Sequence, residues 1–243
     1  MLREIVIIGF PKCGTSALVK RLEQDPEVQV RRSPEGGMEM PWPLIRDTPP
    51  KKKRDPSKIQ AHKFTAYSYN AKALSFLVEA NPDSILALCV RDPVRALVSW
   101  HNMHQTIARK EHNARIAGHF AWKERDFYSK CSISEYYEAF ARTRLRYDST
   151  LESVLEIVPA ERLVVVSQER IARDIGAVTD YLKALSGDKT AAAPARGEER
   201  TDVHLGYADK VKIEIDEQIE LELKNVQLHL NQILEAGSMH KCL

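Results

Sequence analysis

One stretch near the amino end, residues 5 to 22, most constrains the fold of this 243-residue chain. It begins with four consecutive β-branched residues, Ile5 to Ile8, a run typical of a strand buried on both faces of a parallel sheet. Its second half, Ala17 to Leu22, places apolar residues at helical spacing. The sequence therefore predicts a strand, a tight turn and a helix in direct succession.

The turn between this strand and this helix reads Gly9-Phe10-Pro11-Lys12-Cys13-Gly14-Thr15-Ser16. Small residues let successive backbone N–H groups point inward, and the start of the helix adds a partial positive charge, which together favour an anion. The turn departs from the phosphate loop of nucleotide triphosphatases, because Thr15 stands where that loop has its lysine. Ser16 keeps the place of the magnesium-binding hydroxyl, and Lys12 is the lysine of this turn.

A second candidate anion site follows the apolar run 85–90, which predicts another buried strand. Arg91 comes directly after this run, and Ser99 lies two helical turns further on. A guanidinium and a hydroxyl on one wall are able to bind one phosphate from two sides. Two alternatives stay open: Arg91 caps the corner or pairs with Asp92, or Asp92 acts as the magnesium-binding aspartate of a P-loop enzyme.

The rest of the chain alternates strands with helices, which predicts a single α/β domain over residues 1–243. Its architecture is a P-loop NTPase-like doubly wound parallel sheet flanked by helices, with a long C-terminal amphipathic helix. Further strands are predicted at 28–30, 59–64 and 163–166, and helices at 69–79, from Pro93, at 132–158, 171–185 and 209–235. Ligands of such sheets bind at the carboxyl ends of strands, so the two candidate anion sites face one crevice.

Composition narrows the class of protein further. A net charge of +2 gives no general attraction to nucleic acid, and no segment resembles a signal peptide or a membrane span. We therefore expect a cytoplasmic protein without a membrane or nucleic-acid partner. The four cysteines show no C-x-x-C pair, which argues against a disulfide framework and a zinc site. The basic run 51–54 lies in a proline-rich loop, 31–58, expected to be an active-site loop.

Both anion motifs resemble those of the sulfotransferases that use 3′-phosphoadenosine 5′-phosphosulfate. Pro11 to Ser16 is similar to that family's P-K-x-G-T-[ST] loop for the 5′-phosphosulfate. Arg91 and Ser99 stand eight positions apart, as in its element for the 3′-phosphate. The closest patterns are those of the glycan or heparan type and of bacterial small-molecule sulfotransferases.

The resemblance implies roles for individual residues. Lys12 stabilises charge on the leaving oxygen, and the donor, whose product is 3′,5′-adenosine bisphosphate, needs no metal. Arg196-Gly197, in the late loop 187–208, resembles the pair that folds over the 3′-phosphate. The residues expected to bind the donor are Lys12, Cys13, Gly14, Thr15, Ser16, Arg91, Ser99, Arg196 and Gly197.

The acceptor must lose a proton, so a general base is required. Glu35 lies where heparan-type sulfotransferases carry a catalytic glutamate, and Lys63 resembles the lysine of their E-K-T-P-x-Y element. His62 stands in place of that element's glutamate and is similar to the histidine base of cytosolic sulfotransferases. Glu39 is a further loop acid, read as solvated. The choice among Glu35, His62 and Lys63 stays open.

We therefore expect a sulfotransferase that moves a sulfuryl group in line from the phosphosulfate donor to a hydroxyl or amine of a small-molecule or carbohydrate acceptor. One alternative is a P-loop kinase that uses ATP and magnesium. The other is a nucleotide-binding module without catalysis. The acceptor and the oligomeric state have no readable signal in the sequence.

Overall fold

The structure of the chain is a computed structural model that describes residues 3–33, 39, 55–109, 122–187 and 215–242. Within these ranges one six-stranded sheet has the order β2-β3-β1-β4-β5-β6, and every neighbouring pair is parallel. The order reverses around β1, which confirms the doubly wound parallel sheet. The strands are β1 Glu4–Ile7, β2 Val28–Val30, β3 Ile59–Lys63, β4 Ile85–Val90, β5 Leu163–Ser167 and β6 His240–Cys242.

Helices alternate with these strands along the described part of the chain. They are α1 Thr15–Glu23, α2 Ala71–Ala80, α3 Pro93–Arg109, α4 Trp122–Lys130, α5 Ile133–Tyr136, α6 Tyr147–Ile157, α7 Gln168–Arg173, α8 Ile175–Gly187 and α9 Glu217–Ala236. Because right-handed crossovers that run in opposite directions along a sheet lie on opposite faces, α1 and α2 cover different faces. α1 packs beside α8, whereas α2 lies beside α6.

The predicted helix 132–158 is wrong as a continuous element. Its start is confirmed, because Ser132 and Glu135 form the capping box that the sequence indicates. The helix then passes into a π-helical turn, Tyr137–Ala141, and ends before α6 begins. Leu145 and Tyr147 are both fully buried, and residues two apart do not share a helix face. The chain therefore leaves the helical path to bury both side chains.

Two other elements differ from the sequence-based expectation. The predicted helix 171–185 is two helices, because the Asp174 side chain accepts a hydrogen bond from the backbone N–H of Ala177 (2.8 Å) and begins α8 anew. β6 was not predicted, since three residues leave no periodicity to detect. The long C-terminal helix is confirmed from residue 217, and residues 201–214 lie outside the described part of the chain.

Contacts divide the chain into two compact units. The first comprises Met1–Arg91, Ser149–Val203 and Asn231–Leu243, and it holds the sheet. The second comprises Asp92–Asp148 and His204–Leu230, and aromatic rings around His104 form part of its core. The single-domain organisation stays a prediction. No helix in the described ranges is long and apolar enough to cross a membrane.

A buried arginine joins α2 to β5 within the first unit. Arg162, 4% exposed, donates hydrogen bonds to the carbonyl oxygens of Val78, Asn81 and Ser84, and to the Ser84 hydroxyl, over 2.7–3.2 Å. These carbonyls lie at the end of α2 and in the turn before β4, where no helical partner is available. Arg162 thus supplies hydrogen-bond donors to the carbonyl groups between the end of α2 and the start of β4.

We expect Arg162→Met to lower the free energy of unfolding by about 3 kcal/mol, because it removes the hydrogen bonds that Arg162 donates to buried carbonyl groups. Chemical denaturation measures the change. Arg173→Met is the matched control, because Arg173 is an exposed arginine of α7. An equal effect of both substitutions would contradict the role given to Arg162.

The second unit contains a buried histidine that makes its stability depend on pH. His101 is 6% exposed, and its Nε2 lies 3.0 Å from the Cys131 carbonyl oxygen. Burial lowers the pKa of His101, and the nearby Arg109 charge acts in the same direction. The folded state therefore prefers the neutral imidazole more than the unfolded state does.

Since the folded-state pKa of His101 lies below the unfolded value of about 6.5, stability is present above that pH and is lost as the pH falls below it. His101→Gln keeps a donor for the Cys131 carbonyl but does not titrate. We expect the variant to lose less unfolding free energy than the parent protein between about pH 8 and pH 5. Chemical denaturation at the two pH values measures this loss. An equal loss in the variant and in the parent protein would refute the role given to His101.

Candidate active site

The loop after β1 is held against β4 by backbone contacts that only glycine permits. The N–H groups of Ile8 and Phe10 donate to the carbonyls of Ala87 and Cys89 at 3.0 and 3.1 Å, which extends β1 along β4. A Cβ atom on Gly9 would lie 2.0 Å from the backbone nitrogen of Cys89. The first glycine of the motif is therefore required for close strand packing.

The same loop turns sharply at two residues with left-handed backbone conformations. Lys12 has φ 67° and Gly14 has φ 81°, and α1 begins at Thr15. Left-handed residues within a turn direct neighbouring backbone N–H groups toward one point, here next to the positive end of a helix. The thiol of Cys13 is buried and faces the Pro11 carbonyl at 3.5 Å, so Cys13 contributes its backbone. This geometry suits an anion.

Three cationic side chains converge on this loop. Lys63, the last residue of β3, donates from Nζ to the Ser16 hydroxyl at 2.9 Å. Arg91, which follows β4, donates from Nη1 to the Lys12 carbonyl at 3.2 Å. Burial lowers the pKa of Lys12, and the charges of Arg91 and Lys63 lower it further. Lys63 and Arg91 are themselves 4% and 5% exposed, so positive charge is concentrated where water is scarce.

Arg91 also retains an unused donor. Its buried Nε has no hydrogen-bond partner among the described residues, which is rare for a guanidinium with this little exposure. In the second unit, the hydroxyl of Ser99 on α3 is buried and likewise finds no partner within the described part of the chain. Donors left in this state fit an anionic ligand that the protein itself does not provide.

The structure brings one acid to the loop that sequence reasoning set aside. Glu39 accepts from Lys63 Nζ at 2.8 Å through one oxygen and from the Thr65 N–H at 3.0 Å through the other. Its side chain is 40% exposed, so the carboxylate is held in place yet reachable. A backbone bridge aligns Glu39 in parallel with Lys63. In the sequence, Glu39 is an acid in the same loop, four positions after Glu35. The residues around it give no reason to prefer it over Glu35.

His62 and Lys63 are neighbours in sequence but lie on opposite faces of β3, because side chains alternate along a strand. His62 is 1% exposed, and its Nδ1 lies 3.3 Å from a carboxylate oxygen of Glu4. Its ring also packs edge-on against Tyr67, whose pKa is raised by burial and by the charge of Glu4. The structure therefore brings Lys63 to the loop and directs His62 away from it.

The other predicted site residues divide into two groups. Thr15 is buried at the start of α1, and Ser16 is the partner of Lys63. Glu35, Arg196 and Gly197 lie outside the described residues, and their roles stay predictions. Within the described ranges, no three His, Cys, Asp or Glu side chains are grouped to hold a metal ion.

Comparison with solved structures relates the fold of this chain to that of a known protein. A sulfotransferase from Alicyclobacillus acidocaldarius, known from its crystal structure, matches with a TM-score of 0.59 and 18% sequence identity. The alignment covers 97% of this chain and 96% of that protein. No family model and no curated protein matches the sequence. At this identity the likeness shows the fold, which this chain shares with a sulfotransferase of known structure.

The lowered pKa of Lys12 makes anion binding at the loop pH-dependent. Only the protonated ammonium attracts an anion, so affinity should fall as the pH rises through a pKa that lies below the ordinary lysine value of 10.5. We expect sulfate, which keeps its charge throughout, to bind progressively more weakly between about pH 7 and pH 10. Titration calorimetry at several pH values measures this.

Lys12→Met should weaken sulfate binding at neutral pH at least about tenfold, because a charge-assisted contact is lost. It should also flatten the dependence on pH. Lys20→Met, which removes an exposed lysine from the last turn of α1, is the control and should change neither quantity. If the Lys12 variant and the parent protein bind sulfate with the same affinity, sulfate does not bind at this loop.

Proposed function

We propose that this chain is a sulfotransferase that transfers a sulfuryl group from 3′-phosphoadenosine 5′-phosphosulfate to a hydroxyl or amine of its acceptor. The observation that carries the proposal is the convergence of Lys12, Lys63 and Arg91 on the loop between β1 and α1. The fold that it shares with a sulfotransferase of known structure supports the same activity. When bound, the donor supplies an activated sulfuryl group on a phosphate leaving group.

The contacts of Ser16 favour this activity over that of a P-loop kinase. In a kinase-type loop this hydroxyl binds magnesium, which bridges the phosphates. Here the Lys63 ammonium lies 2.9 Å from the Ser16 oxygen, so a side-chain cation stands next to the metal-binding position. Thr15 replaces the lysine that reaches the β and γ phosphates. Lys12 and Lys63 thus provide the positive charge that a kinase takes from its metal.

Each residue of the site has a distinct proposed role. Lys12 and Lys63 stabilise the negative charge that develops on the leaving phosphate oxygen, in a buried setting where such charges interact strongly. Backbone N–H groups from Cys13 to Ser16 hold the 5′ end of the donor. Arg91 holds its 3′-phosphate, which gives a partner to the buried Nε that has none among the described residues. The role of Ser99 toward the same phosphate stays a prediction from the sequence.

We propose Glu39 as the general base. Its carboxylate is fixed by Lys63 and by the Thr65 N–H, yet 40% of the side chain remains open to an acceptor. A base must lie within hydrogen-bond reach of the proton that it removes. Glu39 is paired with Lys63, which also contacts the anion-binding loop. His62 faces the other side of β3 and is not assigned a catalytic role here.

The nature of the donor is tested by ligand-dependent stability. We expect 3′,5′-adenosine bisphosphate to raise the melting temperature, with a gain near 2.7 kcal/mol when its concentration is about 100 times Kd. ATP with magnesium should give a smaller shift, and Arg91→Ala should abolish most of the bisphosphate effect. A larger shift with ATP and magnesium would favour the kinase alternative.

The role of Glu39 is tested by turnover with ³⁵S-labelled donor and a panel of phenols, alcohols and sugars. Glu39→Gln should lower kcat by about 10²–10⁴-fold, since it removes the base, and should leave the affinity for adenosine bisphosphate nearly unchanged. Glu79→Gln, which alters an exposed acid of α2, is the control. Binding of the bisphosphate without transfer to any acceptor would instead indicate the non-catalytic nucleotide-binding module.

A further inference from the structure

A pocket of about 280 Å³ lies between α2 and α6 in the first unit. Each of these helices precedes the next parallel strand, so each begins at the edge of the sheet where β1, β3 and β4 end. Ala71 stands at the start of α2, and Ser149 and Thr150 lie in the first turn of α6. The pocket therefore starts at the edge of the sheet that carries the anion-binding loop.

Two sets of contacts connect the pocket with the catalytic groups. Glu39 binds the N–H of Thr65, which opens the 3₁₀-helix Thr65–Tyr69, and the last two residues of that helix line the pocket. At about 2 Å per residue, this helix places the pocket within roughly 10 Å of Thr65. On the other side, the ring of Tyr69 packs against Phe10, two residues before Lys12, with ring centroids 5.7 Å apart.

Among the described residues, the lining combines hydroxyl groups with hydrocarbon and contains no charged side chain. Five lining residues carry a hydroxyl, and four are purely apolar. They are Ser68, Tyr69, Ser149, Thr150 and Ser153, together with Ala71, Leu74, Val154 and Ile157. These described residues offer no cation to compensate the charge of a sulfated or carboxylated glycan, whose burial would be costly. Hydroxyls and apolar surface instead suit a ligand with an uncharged polar group and a hydrocarbon body.

The volume of the pocket limits the size of that ligand. At about 280 Å³ the pocket lies just below the range of roughly 300–1,000 Å³ that accommodates drug-sized molecules. It fits one ring with a short substituent rather than a chain of sugar units. The exposed ring of Tyr69, at 37%, offers a surface on which such a ring is able to stack.

We infer that this pocket is the acceptor subsite and that the acceptor is a small, neutral alcohol or phenol with an apolar body. This inference rests on the proposed function and narrows it, because the sequence left carbohydrate and small-molecule acceptors equally open. The acceptor oxygen would be directed toward Glu39, and its apolar body would lie against Ala71 and Ile157, the apolar lining residues that keep accessible surface.

Binding of 4-methylphenol tests the inference without requiring turnover. Ligand-observed NMR should detect binding to the parent protein, and Ala71→Phe, which places a ring at the pocket, should weaken it at least about tenfold. Ser153→Leu, on the opposite wall, should weaken it as well. Ala80→Phe is the matched control, because Ala80 is an exposed alanine at the far end of α2 that does not line the pocket.

A second measurement separates this inference from the proposed function. All three variants should bind 3′,5′-adenosine bisphosphate like the parent, since none touches the anion-binding loop. The inference is overturned if 4-methylphenol does not bind, if Ala71→Phe binds it as well as Ala80→Phe does, or if a heparin hexasaccharide is the better ligand. If the parent protein does not bind 3′,5′-adenosine bisphosphate, the proposed function is refuted instead.

Discussion

Crowding of three cations, two of them buried, is the constraint on which the rest of this site depends. Burial lowers the preference of Lys12 for carrying charge, and the charges of Arg91 and Lys63 lower it further. The fold offsets this cost locally. The Lys12 carbonyl accepts from Arg91, and the Ser16 hydroxyl and the Glu39 carboxylate accept from Lys63. An anion that enters the loop relieves the remaining repulsion, so the site is built to bind negative charge.

Strand order explains why residues far apart in sequence meet at this loop. β1 lies between β3 and β4, and all three strands are parallel. Lys63 ends β3, the loop follows β1, and Arg91 follows β4, so their side chains emerge at one edge of the sheet. Gly9 makes the arrangement tight, because its missing side chain lets the loop run directly beside Cys89.

The same geometry distinguishes this site chemically from its triphosphatase counterparts. A loop that binds magnesium through a serine keeps that hydroxyl available to the metal. In this chain Ser16 accepts a hydrogen bond from the Lys63 ammonium group, and Lys12, four residues earlier in the loop, has a left-handed backbone conformation. Under the proposed function, these fixed side-chain charges would stabilise the leaving phosphate. The pocket beside Tyr69, whose described lining residues are uncharged, would then add an uncharged part to a strongly cationic site.

The sequence by itself determined the elements whose signals are local. The β-branched runs of β1 and β5, the capping box at Ser132 and the glycine-rich turn each depend on residues close together in the chain, so periodicity and composition reveal them. Only the tertiary structure decided that Lys63 faces the loop while His62 faces Glu4, and that Glu39 is the acid beside Lys63. It also decided that burial of Leu145 and Tyr147 breaks a predicted helix. These outcomes depend on strand register and on packing between distant segments, for which neighbouring residues carry no signal.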